Sequence, residues 1–236
     1  LHDALPISIG GEQIMNLEQP CIRISVRNLV EFILRHGDID NRTGGADKDA
    51  MQQGSRIHRK IQRQQGAEYR AEVPLRYQIP CDGFILSVEG RADGIIELPK
   101  RVVIDEIKGV YRKLADIEVP ETVHVAQAMC YAYIYAEQKN LEEIGVQMTY
   151  CNLDTEEIRR FQEVYTRAEL KKWFEELVSE YEKWARYQME WRAKRNASIK
   201  TVEFPFEYRD GQKKLVASVY RTILRKKKLN KIEIMK

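Results

Sequence analysis

The sequence has no uninterrupted run of the ~20 apolar residues that a membrane-spanning helix needs, and its opening residues lack the basic-then-apolar pattern of a secretory signal. It also has few cysteines. Cys21, Cys81, Cys130 and Cys151 are scattered, and no two of them form a Cys-x-x-Cys pair. This spacing argues against a zinc knuckle and, in a chain this long, against a disulfide framework. We therefore expect a cytoplasmic protein with no membrane partner and with buried or incidental thiols.

A strong excess of charge of one sign is also missing. The formal net charge of +3 does not by itself indicate a nucleic-acid partner. The basic residues are nevertheless concentrated in two runs: Arg56, His58, Arg59, Lys60 and Arg63, and then Lys213, Lys214, Arg221, Arg225, Lys226, Lys227 and Lys228. Such runs are more often solvated helix faces than binding surfaces, so they only support a case made elsewhere.

The chain of 236 residues, with 43% hydrophobic and 32% charged residues, can bury one sizeable core. Residues 1–15 show no clear period, and we predict that they are a non-native leader outside the fold. The main core is predicted over residues 16–165, a helical extension over 166–200 and the start of a further domain over 201–236. Because this last segment stops without a closing element, we interpret the chain as a fragment truncated at both ends.

Hydrophobic periodicity predicts helices first and strands afterwards. Ser25 is the predicted N-cap of a helix that ends at Gly37, and a second helix is predicted from about Asp49 to Gln65. The period then changes to two, which predicts four strands: Tyr69–Gln78, Gly83–Val88, Gly90–Leu98 and Val102–Lys108. We expect three or four of these adjacent strands to form an antiparallel meander.

The remainder of the chain returns to helical spacing. We predict a helix at Val123–Lys139, a strand at Val146–Asn152, a helical region that begins at Thr155, and a long helix from Ala168 to about Ala197. The order of elements predicts an α/β fold with a central mixed sheet, made of the meander and a further strand, and flanked by helices. A long helical extension follows this core.

Carboxylates stand near the ends of two neighbouring predicted strands. Asp93 lies within Gly90-Arg91-Ala92-Asp93-Gly94, and Glu106 and Lys108 lie on the next strand, where a period of two puts them on the same face. Hydrolysis of a phosphodiester needs an activated water and a place for negative charge, and a hard cation held by carboxylates supplies both. An acid close to a lysine on an exposed strand is also commonplace, so this pair alone does not decide the function.

Two further motifs accompany these strands. Gly54 and His58 lie four residues apart on the helix before them, and Gln127 and Tyr131 lie four residues apart on the helix after them. The four motifs, in this order across about Ser25 to Asn152, resemble the RecB-like branch of the PD-(D/E)XK nucleases. That resemblance implies a restriction-endonuclease-like core and a nuclease activity that depends on Mg²⁺ or Mn²⁺.

The resemblance implies roles for the individual residues of the site. Asp93 and Glu106 would coordinate the metal, with His58 and the Ile107 carbonyl as further ligands. Lys108 would position or deprotonate the attacking water and stabilise the charge on the phosphate. Without the resemblance, His58 would be read as an ordinary histidine on a basic helix face.

Other residues have less specific expectations. Gln127 and Tyr131 would hold the active-site strand or touch DNA, or they form a partly buried polar pair that satisfies backbone groups. Asp105 should point to the opposite sheet face, and Glu72 is a weaker candidate for an accessory acid. Arg56 and Arg59 are candidate DNA-binding residues. Some relatives hold an iron–sulfur cluster, but the positions of the cysteines lead us to expect none here.

The segment Glu203–Gln212 is similar to the start of the motor in DinG-like and XPD-like superfamily 2 helicases, in which a glutamine at the position of Gln212 contacts adenine. No Gly-x-x-x-x-Gly-Lys-Ser/Thr loop follows in this sequence, so we expect no helicase or ATPase activity from this chain alone. The similarity implies a DNA-repair nuclease fused to a helicase motor that is missing here.

The sequence therefore predicts a metal-dependent deoxyribonuclease module that acts on single-stranded or branched DNA. The alternative is a catalytically idle domain that binds DNA and guides it to the missing motor. The presence of Asp93, Glu106 and Lys108 together favours the enzyme.

Overall fold

A computed structural model of the chain describes residues 19–37, 48–203 and 205–225, and for residues 48–51 it describes the backbone alone. The leader predicted over residues 1–15, most of the predicted loop after Gly37, and the basic residues Lys226, Lys227 and Lys228 lie outside the described residues. The chain divides into two compact units, one ending at Tyr187 and the other beginning at Gln188. Within the described residues, no helix combines the length and apolarity needed to span a membrane.

The first unit contains a mixed sheet and its flanking helices. The strands are β1 (Cys21–Ser25), β2 (Tyr69–Cys81), β3 (Phe84–Leu98), β4 (Arg101–Val110), β5 (Glu143–Asn152) and β6 (Ile158–Thr166). The helices are α1 (Val26–Leu34), α2 (Lys48–Arg63), α3 (Thr122–Lys139), α4 (Arg167–Ile199) and, in the second unit, α5 (Gln212–Leu224). A short 3₁₀ turn lies at Leu114–Asp116. The predicted α/β class, with a mixed sheet, flanking helices and a long C-terminal helix, is confirmed.

The long strand β3 lies at the centre of the sheet. It pairs along almost its whole length with antiparallel β2, and its other edge is shared by parallel β1 and antiparallel β4. The sheet continues from β4 to parallel β5 and then to antiparallel β6. The edge shared by β1 and β4 has a gap, since the paired residues are Ile85–Glu89 on one side and Gly94–Leu98 on the other. Asp93 lies in this gap.

The predicted break between two strands at Glu89 is wrong, because the structure has one continuous β3. Gly90, the first residue of the second predicted strand, pairs with Leu75 of β2 and stays in the ladder. A glycine in a strand marks close approach of another group as often as it marks a turn. The expected antiparallel meander of three or four strands is made of the three strands β2, β3 and β4.

The predicted helical region after Thr155 is also wrong. The side-chain oxygen of Asn152 accepts the backbone N–H groups of Asp154 and Thr155, each at 2.9 Å, and Glu156 adopts a positive φ of 60°. These features close a turn, so that the chain doubles back as β6 against β5. Local hydrogen bonding by an Asn side chain has replaced the helix start that Thr155 suggested.

Helix α1 begins as predicted. The Ser25 hydroxyl accepts the backbone N–H of Asn28 at 3.1 Å, so Ser25 is the N-cap. The preceding strand β1 is a feature that the sequence reading missed, because five residues are too few to show a clear period of two. Strand β1 ends at the same Ser25 that begins α1.

Helix α3 lies against the sheet and is almost wholly buried from Ala126 to Ala136. Tyr133 packs on Phe174 of α4 with ring centroids 4.6 Å apart, and this pair closes one side of the core. Helix α2 crosses the end of β4, where Ile57 and Ile61 pack with Ile107. These two helices thereby flank the part of β4 that carries Glu106 and Lys108.

Candidate active site

Strands β3 and β4 separate where the two predicted carboxylates stand. Their antiparallel ladder ends at the pair Gly94 and Asp105, so the next position in the same register places Asp93 opposite Glu106, on one face of the sheet. The side chain of Asp93 spans the opening, because its Oδ2 accepts the backbone N–H of Ile107 at 2.8 Å. The opening between the strands therefore holds both acids.

Glu106 is buried, with a side chain only 1% exposed. Its Oε1 accepts a hydrogen bond from Lys108 Nζ at 2.8 Å, whereas its Oε2 has no hydrogen-bond partner among the described residues. Burial and the neighbouring charge of Asp93 raise the pKa of Glu106 to about 8, against the opposing effect of Lys108. A buried oxygen without a partner is costly, and it marks a position where a ligand would be stabilising.

Lys108 connects the acids to helix α3. Its Nζ donates to Glu106 Oε1 and also to Gln127 Oε1, the latter at 3.1 Å. The Tyr131 ring packs against Gly90 of β3, and Gln127 and the backbone of Arg91 act to lower its pKa against the larger effect of burial. Gln127 therefore contacts β4 and Tyr131 contacts β3, and their roles in holding the strand or touching DNA remain predictions.

His58 reaches the site from α2. Its Nδ1 lies 3.5 Å from Asp93 Oδ1, and its side chain is 26% exposed. Burial lowers the pKa of His58, but the hydrogen bond and charge of Asp93, together with the charge of Glu106, outweigh this effect and raise it. The structure thus brings His58, Asp93, Glu106 and Lys108 together.

Gln62 is a site residue that the sequence reading missed. It lies one helical turn after His58, and its Nε2 donates to the Asp93 carbonyl at 2.9 Å and to Glu72 Oε1 at 3.1 Å. The available signal was its spacing, since residues four apart share one face of a helix. His58 and Gln62 together hold the side chain and backbone of Asp93.

The two glycines of the Asp93 motif make room for tyrosines. A Cβ on Gly90 would lie 2.5 Å from the hydroxyl of Tyr131, and a Cβ on Gly94 would collide with the ring of Tyr69. Neither tyrosine could take its position beside a larger residue. The Gly-x-x-Asp-Gly pattern is therefore explained by close packing on both sides of Asp93.

Asp105 lies on the other face of the sheet, as the alternation along β4 requires. It is buried and accepts hydrogen bonds from Tyr69 at 3.1 Å, Gln147 at 2.9 Å and Thr149 at 2.5 Å. Burial raises the pKa of Asp105 in spite of these three donors. Asp105 thus ties β4 to β2 and β5 beneath the site.

Glu72 lies on β2 across from Asp93, between the register pairs formed by Ala71 and Val73. Its φ of 55° turns it out of the regular strand, and its carboxylate contacts Gln62 and, at 3.2 Å, Arg91. It is 46% exposed and stands beside the site. An accessory role for Glu72 remains a prediction.

Arg56 and Arg59 lie on α2 and contact residues other than Asp93 and Glu106. Arg56 pairs with Glu156 at 3.1 Å, and Arg59 donates to the Ser55 carbonyl of its own helix at 3.1 Å. Gln212 belongs to the second unit, where its Oε1 accepts the backbone N–H of Arg209 at 2.7 Å and so closes the turn before α5.

The donor set of the opening fits a hard divalent cation. In the described part of the chain, no group of three or more His, Cys, Asp or Glu side chains is arranged so that it could hold a metal ion. Mg²⁺ is commonly held by one or two carboxylates, with waters completing its shell. Glu106 Oε2 is a buried oxygen in need of a partner, and Asp93 lies close enough to raise the pKa of Glu106. These two carboxylates satisfy that requirement; His58 and the Ile107 carbonyl remain predicted ligands.

The family model of the PD-(D/E)XK nuclease superfamily matches residues 25–198. A solved structure named "Crystal structure of SSO0001" is 19% identical, with 66% of this chain and 75% of that chain covered and a TM-score of 0.44. No curated protein matches the chain. The family match spans every residue of the opening between β3 and β4.

Proposed function

This chain belongs to the PD-(D/E)XK nuclease superfamily, and on that basis we propose that it is a deoxyribonuclease dependent on Mg²⁺ or Mn²⁺. The observation that carries the proposal is the buried Glu106 Oε2, which has no hydrogen-bond partner in the part of the chain that the structure describes and lies beside Asp93 and Lys108. A cation bound to this oxygen would supply the partner that it lacks among the described residues. RNA is the competing substrate, and a cleavage experiment decides between them.

Asp93 and Glu106 hold the cation in this proposal, and His58 completes the set. When bound, the cation polarises the phosphate and lowers the pKa of a water molecule. The chain's own contribution is to hold the two carboxylates in place: His58 and Ile107 N–H fix Asp93, and Lys108 fixes Glu106. Because these bonds exist before substrate arrives, little reorganisation is needed at the moment of reaction.

Lys108 acts on the water and on the phosphate. Its ammonium group donates to Glu106 and Gln127, which leaves a third hydrogen for a further acceptor. That acceptor is the attacking water or a non-bridging phosphate oxygen, and in either case the positive charge stabilises the negative charge that builds during attack. Gln127 keeps Lys108 from folding wholly onto Glu106.

Helix α2 supplies the nearest basic surface. Pairs of residues four apart define separate faces of this helix. Ile57 and Ile61 face the core, and His58 and Gln62 face Asp93. Arg59 and Arg63 are exposed on the face next to that of His58 and Gln62. On the far side, Arg56 and Lys60 both pair with Glu156. Arg59 and Arg63 are therefore the side chains best placed to hold phosphates of a strand that enters the site.

The motif spacing supports membership of the RecB-like branch, and the similarity of Glu203–Gln212 to helicase openings supports a fusion to a DinG-like or XPD-like motor in DNA repair. In that arrangement Gln212 would contact adenine once the motor is complete. The test is the coding sequence after residue 236. A phosphate-loop motif in the same frame is expected there, and an in-frame continuation without one would contradict the fusion.

A cleavage assay tests the nuclease proposal. Labelled single-stranded DNA, branched DNA, duplex DNA and RNA of equal length are incubated with the chain, first in excess chelator and then with Mg²⁺ or Mn²⁺ restored. We expect cleavage of single-stranded and branched DNA only when metal is present. Cutting in chelator would contradict the metal mechanism, and preferential cutting of RNA would contradict the assignment of DNA. Binding with no cutting in any metal would favour the idle scaffold.

A further inference from the structure

His124 lies beside the proposed active site on the same face of α3 as Gln127 and Tyr131. The three residues are spaced at i, i+3 and i+7, which places them along one side of a helix. Gln127 contacts Lys108 directly. His124 contacts Tyr150, which pairs with Lys108 in the parallel register of β4 and β5 and so projects from the same sheet face. His124 is thus one helical turn from Gln127 and over the strand position next to Lys108.

The hydrogen bonds around Tyr150 select one tautomer of His124. The Tyr150 hydroxyl accepts the backbone N–H of Glu121 at 3.1 Å, and its oxygen lies 3.0 Å from His124 Nδ1. The hydroxyl of buried Tyr150 has one hydrogen to donate, and Nδ1 is the one acceptor that the described residues offer it, so we assign that hydrogen to Nδ1. When Nδ1 accepts in this way, the proton of a neutral imidazole is on Nε2.

The surroundings keep this imidazole neutral. Burial lowers the pKa of His124 to about 4, with further lowering by the charges of Lys108, Arg112 and Arg27 and an opposing effect of Glu121. The ring therefore carries one N–H, on Nε2, throughout the neutral pH range. Tyr150 is fully buried and fixes the ring orientation.

Among residues 19–37, 48–203 and 205–225, no acceptor lies within hydrogen-bonding distance of His124 Nε2. Glu121 Oε2 lies 3.6 Å from it, which is longer than a hydrogen bond, and the other oxygen of Glu121 is paired with Arg112 at 3.2 Å. The side chain of His124 is 24% exposed, so a ligand can reach it. The result is a fixed, uncharged donor next to the ammonium group of Lys108.

We propose that His124 binds substrate by donating its Nε2–H to a phosphate oxygen of the nucleic-acid strand next to Lys108. This inference rests on the proposed nuclease function and adds a binding residue to it. A neutral donor can hold a phosphate oxygen without adding a cation that would weaken the attraction between Lys108 and Glu106. Tyr150 acts through His124 as a positioning residue, because it determines which nitrogen carries the proton.

Two substitutions at His124 separate the two ring nitrogens. His124→Gln places an amide N–H near the position of Nε2, whereas His124→Asn places one near the position of Nδ1. We expect His124→Asn to lose about tenfold to a hundredfold in kcat/KM with metal-replete single-stranded DNA, as for loss of a hydrogen bond to a charged group. We expect His124→Gln to recover most of that loss, with the recovery mainly in KM.

Tyr150→Phe and Thr122→Ala complete the series. Tyr150→Phe keeps the imidazole but releases its tautomer, so its activity should fall between wild type and His124→Asn. Thr122→Ala changes an exposed residue of the same helix turn and should leave kcat/KM unchanged. Thermal melting of every variant verifies folding, and the comparison of Gln with Asn at position 124 is made between variants that melt alike.

The outcomes separate this inference from the proposed function. If wild type cuts DNA and His124→Asn cuts equally well, or if Asn and Gln lose activity equally, the donor role of His124 is contradicted while the nuclease stands. If metal-replete wild type cuts no nucleic acid, the nuclease proposal fails and this inference fails with it.

Discussion

At the scale of single residues, Glu106 makes the stability of the protein depend on pH. It is a buried acid whose pKa is raised to about 8, so the folded chain binds a proton there that the unfolded chain, with an ordinary pKa of 4.5, has already released. The free energy of unfolding therefore falls as the pH rises between these values in the absence of metal. A divalent cation that binds the ionised carboxylate should reverse this loss.

We predict that Glu106→Gln stabilises the metal-free protein at alkaline pH. Going from about pH 6 to about pH 8.5, the stability of wild type should fall relative to the variant by about 2–3 kcal/mol, or about 2–4 °C in melting temperature for each kcal/mol. The measurement is thermal melting of both proteins across this range in chelator. Titrating groups that do not interact with Glu106 contribute equally to both proteins and cancel in the difference, whereas the pKa of His58, which the charge of Glu106 raises, changes with the substitution.

The same melting experiment is then repeated with Mg²⁺ in place of chelator. Mg²⁺ should raise the melting temperature of wild type, more at alkaline than at acid pH, and should have little effect on Glu106→Gln. Parallel melting curves for the two proteins at all pH values, with and without Mg²⁺, would contradict the assignment of Glu106 as a buried metal ligand.

The sequence was informative about these residues where a motif has a local cause. A period of two placed Glu106 and Lys108 on one strand face, and the motif order brought Asp93 and His58 to the same place. Gln62 and Tyr69 were missed because their contacts depend on how α2 and β2 lie across β3, which no local pattern specifies. The sequence also did not predict that Glu106 Oε2 would be buried without a partner among the described residues, because burial to this extent results from packing by several elements.

At the scale of elements, the turn between β5 and β6 opposes the basic face of α2. Asn152 closes this turn and holds Glu156 next to Arg56 and Lys60. These two cations lower the pKa of Glu156, which keeps it ionised at neutral pH. The turn therefore neutralises one side of α2 and leaves Arg59 and Arg63 on the side nearer the site.

We predict that Glu156→Gln strengthens DNA binding, because it removes a negative charge that competes with phosphates for Arg56 and Lys60. The dissociation constant should decrease by about twofold to fivefold at low salt, and the gain should shrink as salt is added. Fluorescence anisotropy with labelled single-stranded DNA measures both effects. Glu157→Gln is the matched control, because it removes the same charge from the same turn while its carboxylate contacts Thr155.

An equal effect of the two substitutions would show that only net charge matters and would contradict a specific role of Glu156. Weaker binding by Glu156→Gln would indicate that the Arg56 and Lys60 side chains need Glu156 to hold them for DNA.

Elements were predicted correctly where hydrophobic periodicity is long, as for α3 and α4, and incorrectly where tertiary pairing decides. Strand β3 continues through Gly90 because β2 pairs with it on both sides of that residue. Strand β6 forms because β5 offers a free edge and the Asn152 turn directs the chain to it. In both cases the structure of the segment is determined by pairing with a neighbouring strand, which the segment's own sequence does not specify.

At the scale of the whole molecule, the order of elements was sufficient to predict the α/β class, because a helix, a meander, a second helix and a further strand have few ways to cover both faces of one sheet. It was not sufficient to predict how β1 and β4 share one edge of β3. Because β1 and β4 share that edge, a gap is left between them at Asp93. The candidate metal site lies at this gap.

In the proposed function, the exposed cations of α2 supply much of the affinity for DNA, and the residues of the opening carry out its hydrolysis. The exposed cations Arg59 and Arg63 lie on the outer side of α2, whereas Glu106 and Lys108 lie in the opening between the strands. Substitutions within the opening should therefore leave the affinity for DNA largely intact while slowing its hydrolysis.

The most direct measurement of the central claim compares cleavage and binding of labelled single-stranded DNA by wild type, Glu106→Gln and Lys108→Ala in saturating Mg²⁺. Glu106→Gln keeps the shape of the side chain but removes the charge that the cation needs, and Lys108→Ala removes the group that orients the water. We predict that both variants cut at least about a hundredfold more slowly than wild type, with dissociation constants for DNA within about threefold of the wild-type value. Cleavage by Glu106→Gln at the wild-type rate would contradict the account.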